Sequence, residues 1–225
     1  MKVLSIAIPC YNSEAYMKRA ISTLLTGGDD VEILIVDDGS KDKTAQIADA
    51  YAAKYPTIVK AIQKENGGHG DAVNCGLSHA TGKYFKVVDS DDWVDESSLF
   101  KILETVKTFV KEDTLVDMVI SNYVYEKVGM EHKKVIRYDN VLPENTIFHF
   151  TQLDLTQHSF HLREQLIAIS RATYDHSFIF EHIFQNIRRR AFANIMHHDI
   201  LNAIISQRSG DRLSHLLRVT IHAAI

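Results

Sequence analysis

Residues 31–55 read VEILIVDDGSKDKTAQIADAYAAKY. A β-branched and aliphatic run ends in two aspartates, and Gly39 then turns the chain. After it Ala45, Ala48, Tyr51, Ala52 and Tyr55 recur at helical spacing, and Pro56 stands beyond the end. That is a strand followed by a helix. The same unit repeats on both sides. VLSIAIP is a strand, and Met17, Ala20, Ile21, Leu24 and Leu25 follow at helical spacing behind Ser13, a candidate N-cap. TIVKAIQ is a third strand, and the NGGHG loop leads to a helix over residues 71–80. YFKVV is a fourth strand, Leu99 to Val110 a helix, and DMVISNYVY another strand. Strands alternating with helices pair in parallel, so the expected class is α/β, a doubly wound, mostly parallel sheet flanked by helices.

Ligands bind such sheets at the carboxyl ends of the strands. The unusual residues fall there: PCYNSE after the first strand, DDGSKDKT after the second, KENGGHG after the third and DSDD after the fourth. Four loops would converge on one rim.

The 225 residues suffice for a substantial core, and a charged fraction of 24% is ordinary for a globular protein. A net charge of −4 argues against nucleic-acid binding through a basic face. No apolar run reaches the roughly 20 residues of a membrane span, and the N-terminal stretch reads as a strand rather than a leader. Two cysteines, Cys10 and Cys75, do not form a disulfide framework, and a cytoplasmic location is expected.

The character of the chain changes near residue 150. All 15 lysines lie before that point, whereas eight of the ten arginines and eight of the 12 histidines lie after it. The expected division is residues 1–150 as the binding domain and 151–225 as a divergent, helical C-terminal segment. A module of amphipathic helices and an out-of-frame tail both fit this shift.

In residues 85–96, FKVVDSDDWVDE, an apolar strand runs into Asp89, Asp91, Asp92 and Asp95. Like charges repel, and the cluster becomes favourable when it holds a hard cation such as Mg²⁺ or Mn²⁺. Asp89 and Asp91 form a D-x-D. Magnesium takes one or two protein carboxylates and completes its shell with water and substrate phosphates, so a diphosphate would complete this site. Asp95 or Ser97 is accounted for separately as a cap of the next helix. A calcium loop is excluded by Trp93 at its fifth position. No G-x-x-x-x-G-K-[ST], no G-x-G-x-x-G in the first turn and no G-x-S-x-G is present.

Together SIAIPCYNSEAYMKRAISTLL, VEILIVDDGSKDKT and ENGGHGDAVNCGLSHATGKYFKVVDSDDW resemble the family 2 glycosyltransferases, whose nucleotide-sugar domain has the GT-A fold. The resemblance covers roughly residues 3–125. It implies that Pro9, Tyr11, Asn12 and Glu14 cradle the nucleoside, and that Asp38, with Asp37 beside it, hydrogen-bonds the base, commonly uracil. It implies that Lys64, Asn66, Gly67 and Gly68 close on the nucleotide. Asp89 is placed near the ribose and with Asp91 on a divalent metal, Mn²⁺ or Mg²⁺, and Asp91 and Asp92 are placed among the catalytic residues. An acceptor-only carboxylate at Asp38 suits the imide N–H of uracil. Where the family often has Arg, this chain has Val73, so a phosphate-facing charge is either missing or supplied by Lys64 or His69.

The resemblance weakens beyond the D-x-D. Inverting members draw a catalytic base from a later acidic pair, and none follows residue 150; Asp175 and Glu181 are the remaining candidates. Gln185 to Arg188 begins the Q-x-x-R-W of processive members, but Arg189 replaces Trp. His158, His161, His197 and His198 lack zinc spacing. Arg188 to Arg190 read as a solvated face, with peripheral contact to an anionic lipid or a phosphorylated acceptor as the alternative. The expected activity is metal-dependent, inverting transfer of a sugar from a nucleotide-sugar, UDP-sugar favoured, to a glycan or lipid-linked acceptor, in the cytoplasm or at the inner face of the membrane. The alternative is a non-catalytic nucleotide-sugar-binding module. Nucleotidyl transfer is a weaker rival.

Overall fold

The structure, a computed structural model, describes residues 1–114, 116, 118–126, 133–137 and 144–149, and two strands at 168–171 and 218–222. The chain forms two compact units, Met1–Asp113 and Thr114–Ile225.

The first unit is built on β1 (Leu4–Cys10), β2 (Val31–Asp38), β3 (Val59–Lys64) and β4 (Tyr84–Val87), in the order β3-β2-β1-β4, with every pair parallel. Seven residues of β1 and eight of β2 are buried throughout, as strands covered on both faces require. Their register runs from Leu4 opposite Val31 to Cys10 opposite Asp37. Pro9 lies past Ala7–Val87, the last β1–β4 partner pair, so its missing N–H leaves no ladder bond unmade.

Helices α1 (Met17–Leu24), α2 (Thr44–Lys54), α3 (His69–His79) and α4 (Glu96–Lys111) fill the connections. The α1 stripe is as the periodicity predicts: Met17, Ala20, Ile21 and Leu24 are buried. Leu25 belongs instead to a 3₁₀ turn, Leu25–Asp30, which the sequence did not announce. Helix α4 buries Leu99, Ile102, Leu103 and Val106, and Asp95 caps it by accepting the Ser98 N–H at 2.8 Å. Helix α3 lies close on β1; a Cβ on Gly76 would stand 2.6 Å from Ala7 Cβ. Only glycine permits that approach.

The N-terminal end of the sheet holds a buried carboxylate. Glu32 accepts hydrogen bonds from Ser5 Oγ (2.5 Å), Lys60 Nζ (2.8 Å), Thr81 Oγ1 (2.8 Å), Gly82 N–H (3.2 Å) and Thr81 N–H. Burial pushes its carboxyl up, but the bonds from Lys60, Ser5 and Thr81 outweigh burial and hold it at about 2. The turn between α3 and β4 is thereby pinned to the sheet.

The second unit contains β5 (Met118–Ser121), β6 (Tyr123–Tyr125), β7 (Lys134–Ile136), β8 (Ile147–His149), β9 (Ala168–Arg171) and β10 (Arg218–His222). Strand β5 pairs antiparallel with β9 and parallel with β10, β10 pairs antiparallel with β8, and β6 and β7 form an antiparallel pair. DMVISNYVY, read as one strand, is interrupted between Ser121 and Tyr123. In the segment expected to be helical, β9 and β10 are strands; the rest of 151–225 lies outside the described residues. No helix among the described residues is long and apolar enough to cross a membrane.

Candidate active site

Because β1 to β4 run parallel, their carboxyl ends share one edge of the first unit. Loop 1 (residues 11–16), loop 2 (39–43), loop 3 (65–68) and loop 4 (88–95) leave from it.

Loops 1 and 2 are joined by reciprocal hydrogen bonds. Asn12 N–H donates to Ser40 Oγ (2.9 Å), and Asn12 Oδ1 accepts the Lys41 N–H (2.9 Å). Glu14 N–H donates to Asp42 Oδ2 (3.1 Å), and Glu14 Oε2 accepts the Lys43 N–H (2.9 Å). Asp42 Oδ1 also accepts the Thr44 N–H (2.9 Å) at the start of α2. Burial raises the Asp42 carboxyl, yet the bonds from Thr44 and Glu14 hold it below the usual range. Asn12 and Glu14, singled out as nucleoside contacts, thus fasten one loop to the other. Asn12 does so at φ 51°, a conformation that Asn tolerates. Tyr11 is about half exposed beside them, and Pro9 is buried in β1.

Ser13 differs from its expected role as a side-chain cap. Its carbonyl accepts the N–H groups of Tyr16 (3.0 Å) and Met17 (3.1 Å) at the start of α1. Its hydroxyl accepts the Tyr11 N–H (3.2 Å) and lies 2.8 Å from Ser90 Oγ, while its N–H donates to Thr44 Oγ1 (2.7 Å).

Asp38 organises loop 3. Its Oδ1 accepts from Gly67 N–H (2.9 Å) and Lys64 Nζ (2.6 Å), its Oδ2 from Gly68 N–H (2.8 Å), and its carbonyl from Asn66 Nδ2 (2.9 Å). Gly68 makes this turn at φ 88°, which glycine adopts freely. Burial raises the Asp38 carboxyl, but the Lys64 ammonium and the two N–H donors bring it below the ordinary range. Lys64 also reaches Asp71 Oδ2 at 2.6 Å, in the first turn of α3. Asp38, Lys64, Asn66, Gly67 and Gly68, five of the predicted residues, therefore form one assembly. Asp37 is buried and accepts the Ser40 N–H at 3.1 Å.

Loop 4 gathers carboxylates. Asp89 Oδ1 is buried without a hydrogen-bond partner, although the Asp89 side chain as a whole is 41% exposed; His69 Nε2, at 3.8 Å, lies within ion-pair range but too far for a hydrogen bond. Burial and the neighbouring Asp91 push the Asp89 carboxyl up, with His69 and Lys86 opposing. Burial, Asp89 and Asp91 push Asp92 up as well. Burial lowers Lys86 to about 8, with Asp92 and Asp89 opposing. An orphaned carboxylate oxygen among repelling carboxylates fits a hard, oxygen-seeking divalent cation. Asp89 and Asp91 are the residues that would hold it. Among the described residues no three His, Cys, Asp or Glu groups are arranged to bind a metal by themselves, so water and phosphate oxygens would complete the shell. Beyond the cluster, Trp93 lies under Arg19, whose guanidinium carbon is 3.2 Å from the ring centroid, and Val94 N–H donates to Thr23 Oγ1 (3.3 Å). These contacts anchor loop 4 on α1.

Sequence reading missed Ser13, Ser90, Asp42, Thr44 and Asp71 as partners in the site. Ser13 was visible as a capping residue type, but its partners lie on other loops and at the start of α2. Asp175 and Glu181, the candidate bases, lie outside the described residues, as do Arg188 to Arg190.

Comparison with known proteins accords with this geometry. Minor teichoic acid biosynthesis protein GgaA of Bacillus subtilis (strain 168) is 30% identical over 161 residues, covering 66% of this chain and 35% of that protein. Glycosyltransferase GlyG of Streptococcus pneumoniae serotype 4 is 35% identical over 123 residues, covering 54% of this chain and 39% of that protein. The chain thus spans well under half the length of these relatives. The structure of Staphylococcus aureus TarS 1–349 in complex with UDP-GlcNAc superposes with a TM-score of 0.56 at 27% identity, over 76% of this chain and 46% of that one. The likeness to TarS bears out the GT-A-like sheet flanked by helices. The profile of Glycosyl transferase family 2 matches residues 5–180, and the chain belongs to that family.

Proposed function

We propose that this chain transfers a sugar from a nucleotide-sugar, UDP-sugar favoured, to a glycan or lipid-linked acceptor, with the help of Mn²⁺ or Mg²⁺ and with inversion at the anomeric carbon. One observation carries the reading: the orphaned Asp89 oxygen and its repelling neighbours share a rim with the Asp38-centred loop. A nucleoside diphosphate spans such a pair of features, its base and ribose at loops 1 to 3 and its phosphates at loop 4. Family membership and the UDP-GlcNAc complex of TarS support the same assignment. The names of GgaA and its relatives support a cell-wall or polysaccharide acceptor.

In this reading Tyr11 offers an aromatic face to the base. Asp38 Oδ2 takes one N–H from loop 3 and keeps acceptor capacity for an imide N–H. Pro9, Asn12, Glu14 and Asp37 hold the loops that shape the nucleoside end, and Lys64, Asn66, Gly67 and Gly68 form its cover. Asp89 and Asp91 hold the divalent ion, with Asp92 adding to the field. A bound ion there would supply charge neutralisation for the departing diphosphate. The hexosyl nature of the donor, a base such as Asp175 or Glu181 and a cytoplasmic or inner-face setting belong to the same proposal. Purified protein mixed with a panel of UDP- and GDP-sugars tests it by nucleotide release. Metal-dependent release of UDP, stimulated by one acceptor, is expected. Metal-dependent UDP binding without release from any donor would overturn catalysis in favour of a binding module.

A further inference from the structure

The proposed donor site has a nucleoside end on loops 1 to 3 and a diphosphate end on loop 4, and one hydroxyl group touches both. Ser13 Oγ lies 2.8 Å from the Oγ of Ser90, the residue between Asp89 and Asp91, and it accepts the Tyr11 N–H at 3.2 Å. The Ser13 N–H donates at 2.7 Å to Thr44 Oγ1, and Thr44 is fully buried at the first position of α2. Ser13 is itself only 3% exposed, so water does not replace these bonds. Tyr11 of loop 1, Thr44 beyond loop 2 and Ser90 of loop 4 therefore share one residue, although Ser13 and Ser90 stand 77 positions apart.

Either hydroxyl of the Ser13–Ser90 pair can be the donor, so the pair can persist while the groups around it change partners. Asp89 and Asp91 flank Ser90, and their repulsion favours spreading; the bond to Ser13 sets where the centre of that segment sits. A ligand that fixes loop 1 fixes Ser13, and through it the segment that carries both carboxylates. The ordering cost is then met once, and the second ligand meets a site already arranged.

We propose that the Ser13–Ser90 hydroxyl pair is a positioning device that couples the two ends of the donor site, so that a nucleoside on loops 1 to 3 tightens divalent-cation binding at Asp89 and Asp91, and the reverse. The inference rests on the nucleotide-sugar reading above. Ser13 and Ser90 act through the loops, without touching the reacting atoms.

The test uses the whole chain with Mn²⁺ and uridine, because uridine has no phosphate with which to bridge to the metal. Mn²⁺ affinity is measured by calorimetry with and without saturating uridine. The wild type should show tightening by about fivefold or more. Ser13→Ala and Ser90→Ala should each bring that factor to about one, the double variant should change it no further, and Ser90→Thr, which keeps a hydroxyl, should restore it. A merely structural role would weaken both affinities and leave their ratio unchanged. Persistence of the full factor in both alanine variants overturns the coupling and leaves the nucleotide-sugar reading intact. So does UDP binding by a wild type in which uridine has no effect on Mn²⁺. Failure of the wild type to bind UDP with Mn²⁺ overturns both.

Discussion

Lys64 Nζ lies 2.6 Å from Asp38 Oδ1, so an ion pair joins the carboxyl end of β3 to that of β2. Asp38 is buried and Lys64 largely so, and the same carboxylate receives two backbone N–H groups of loop 3. Asp38→Asn removes the charge that draws Lys64 and two backbone N–H groups to β2, while Lys64 keeps Asp71 as a partner. The variant is expected to lower the urea midpoint of unfolding and to weaken UDP binding, because loop 3 loses part of its anchor. Unchanged UDP affinity in a folded variant would show that loop 3 does not contribute to the nucleotide site.

Glu32 makes stability depend on pH. Its carboxyl lies at about 2 in the folded protein against an ordinary 4.5, so the unfolded chain binds the proton more tightly. The stabilisation is fully present above about pH 5 and disappears as pH falls from 4.5 through 2. Its size is on the order of 3 kcal/mol at most, reduced because Lys60 is half exposed and screened. Glu32→Gln should flatten the acid limb of a plot of unfolding free energy against pH. An acid limb identical to that of the wild type would remove Glu32 from this role.

Helix α3 depends on Gly76. An added methyl would stand 2.6 Å from Ala7 Cβ, closer than packed carbons tolerate. Gly76→Ala should cost about 1–3 kcal/mol despite the better helix propensity of Ala. Thermal unfolding checks the sign: a raised Tm would mean that α3 has room to move away from β1.

The parts of this molecule that follow from local pattern were legible in the sequence. VEILIVDD could only be a covered strand, and the Met17, Ala20, Ile21, Leu24 stripe gave the buried face of α1. Parallel order then put the D-x-D and the Asp37–Asp38 pair at one edge. The partners that lie on other loops were not legible, because nothing local in the sequence points to them. Nothing near Glu32 announces Thr81 or Gly82, and nothing near Ser13 announces Ser90. Asn12 and Glu14 were recognisable as special, yet their side chains hold loop 2. A polar residue at a strand end can serve a ligand or a neighbouring loop, and local sequence does not distinguish the two.

In the proposed reading the carboxylates of loop 4 are tolerated because a divalent cation and a diphosphate complete their charge balance. Calorimetric titration of UDP into wild type and Asp91→Asn, each in Mn²⁺ and in EDTA, tests it most directly. The wild type should bind UDP more than about tenfold tighter with Mn²⁺, a difference above about 1.4 kcal/mol, and Asp91→Asn should retain only the weaker, metal-independent binding. Asp91→Asn that binds UDP with the metal dependence of the wild type would contradict the account.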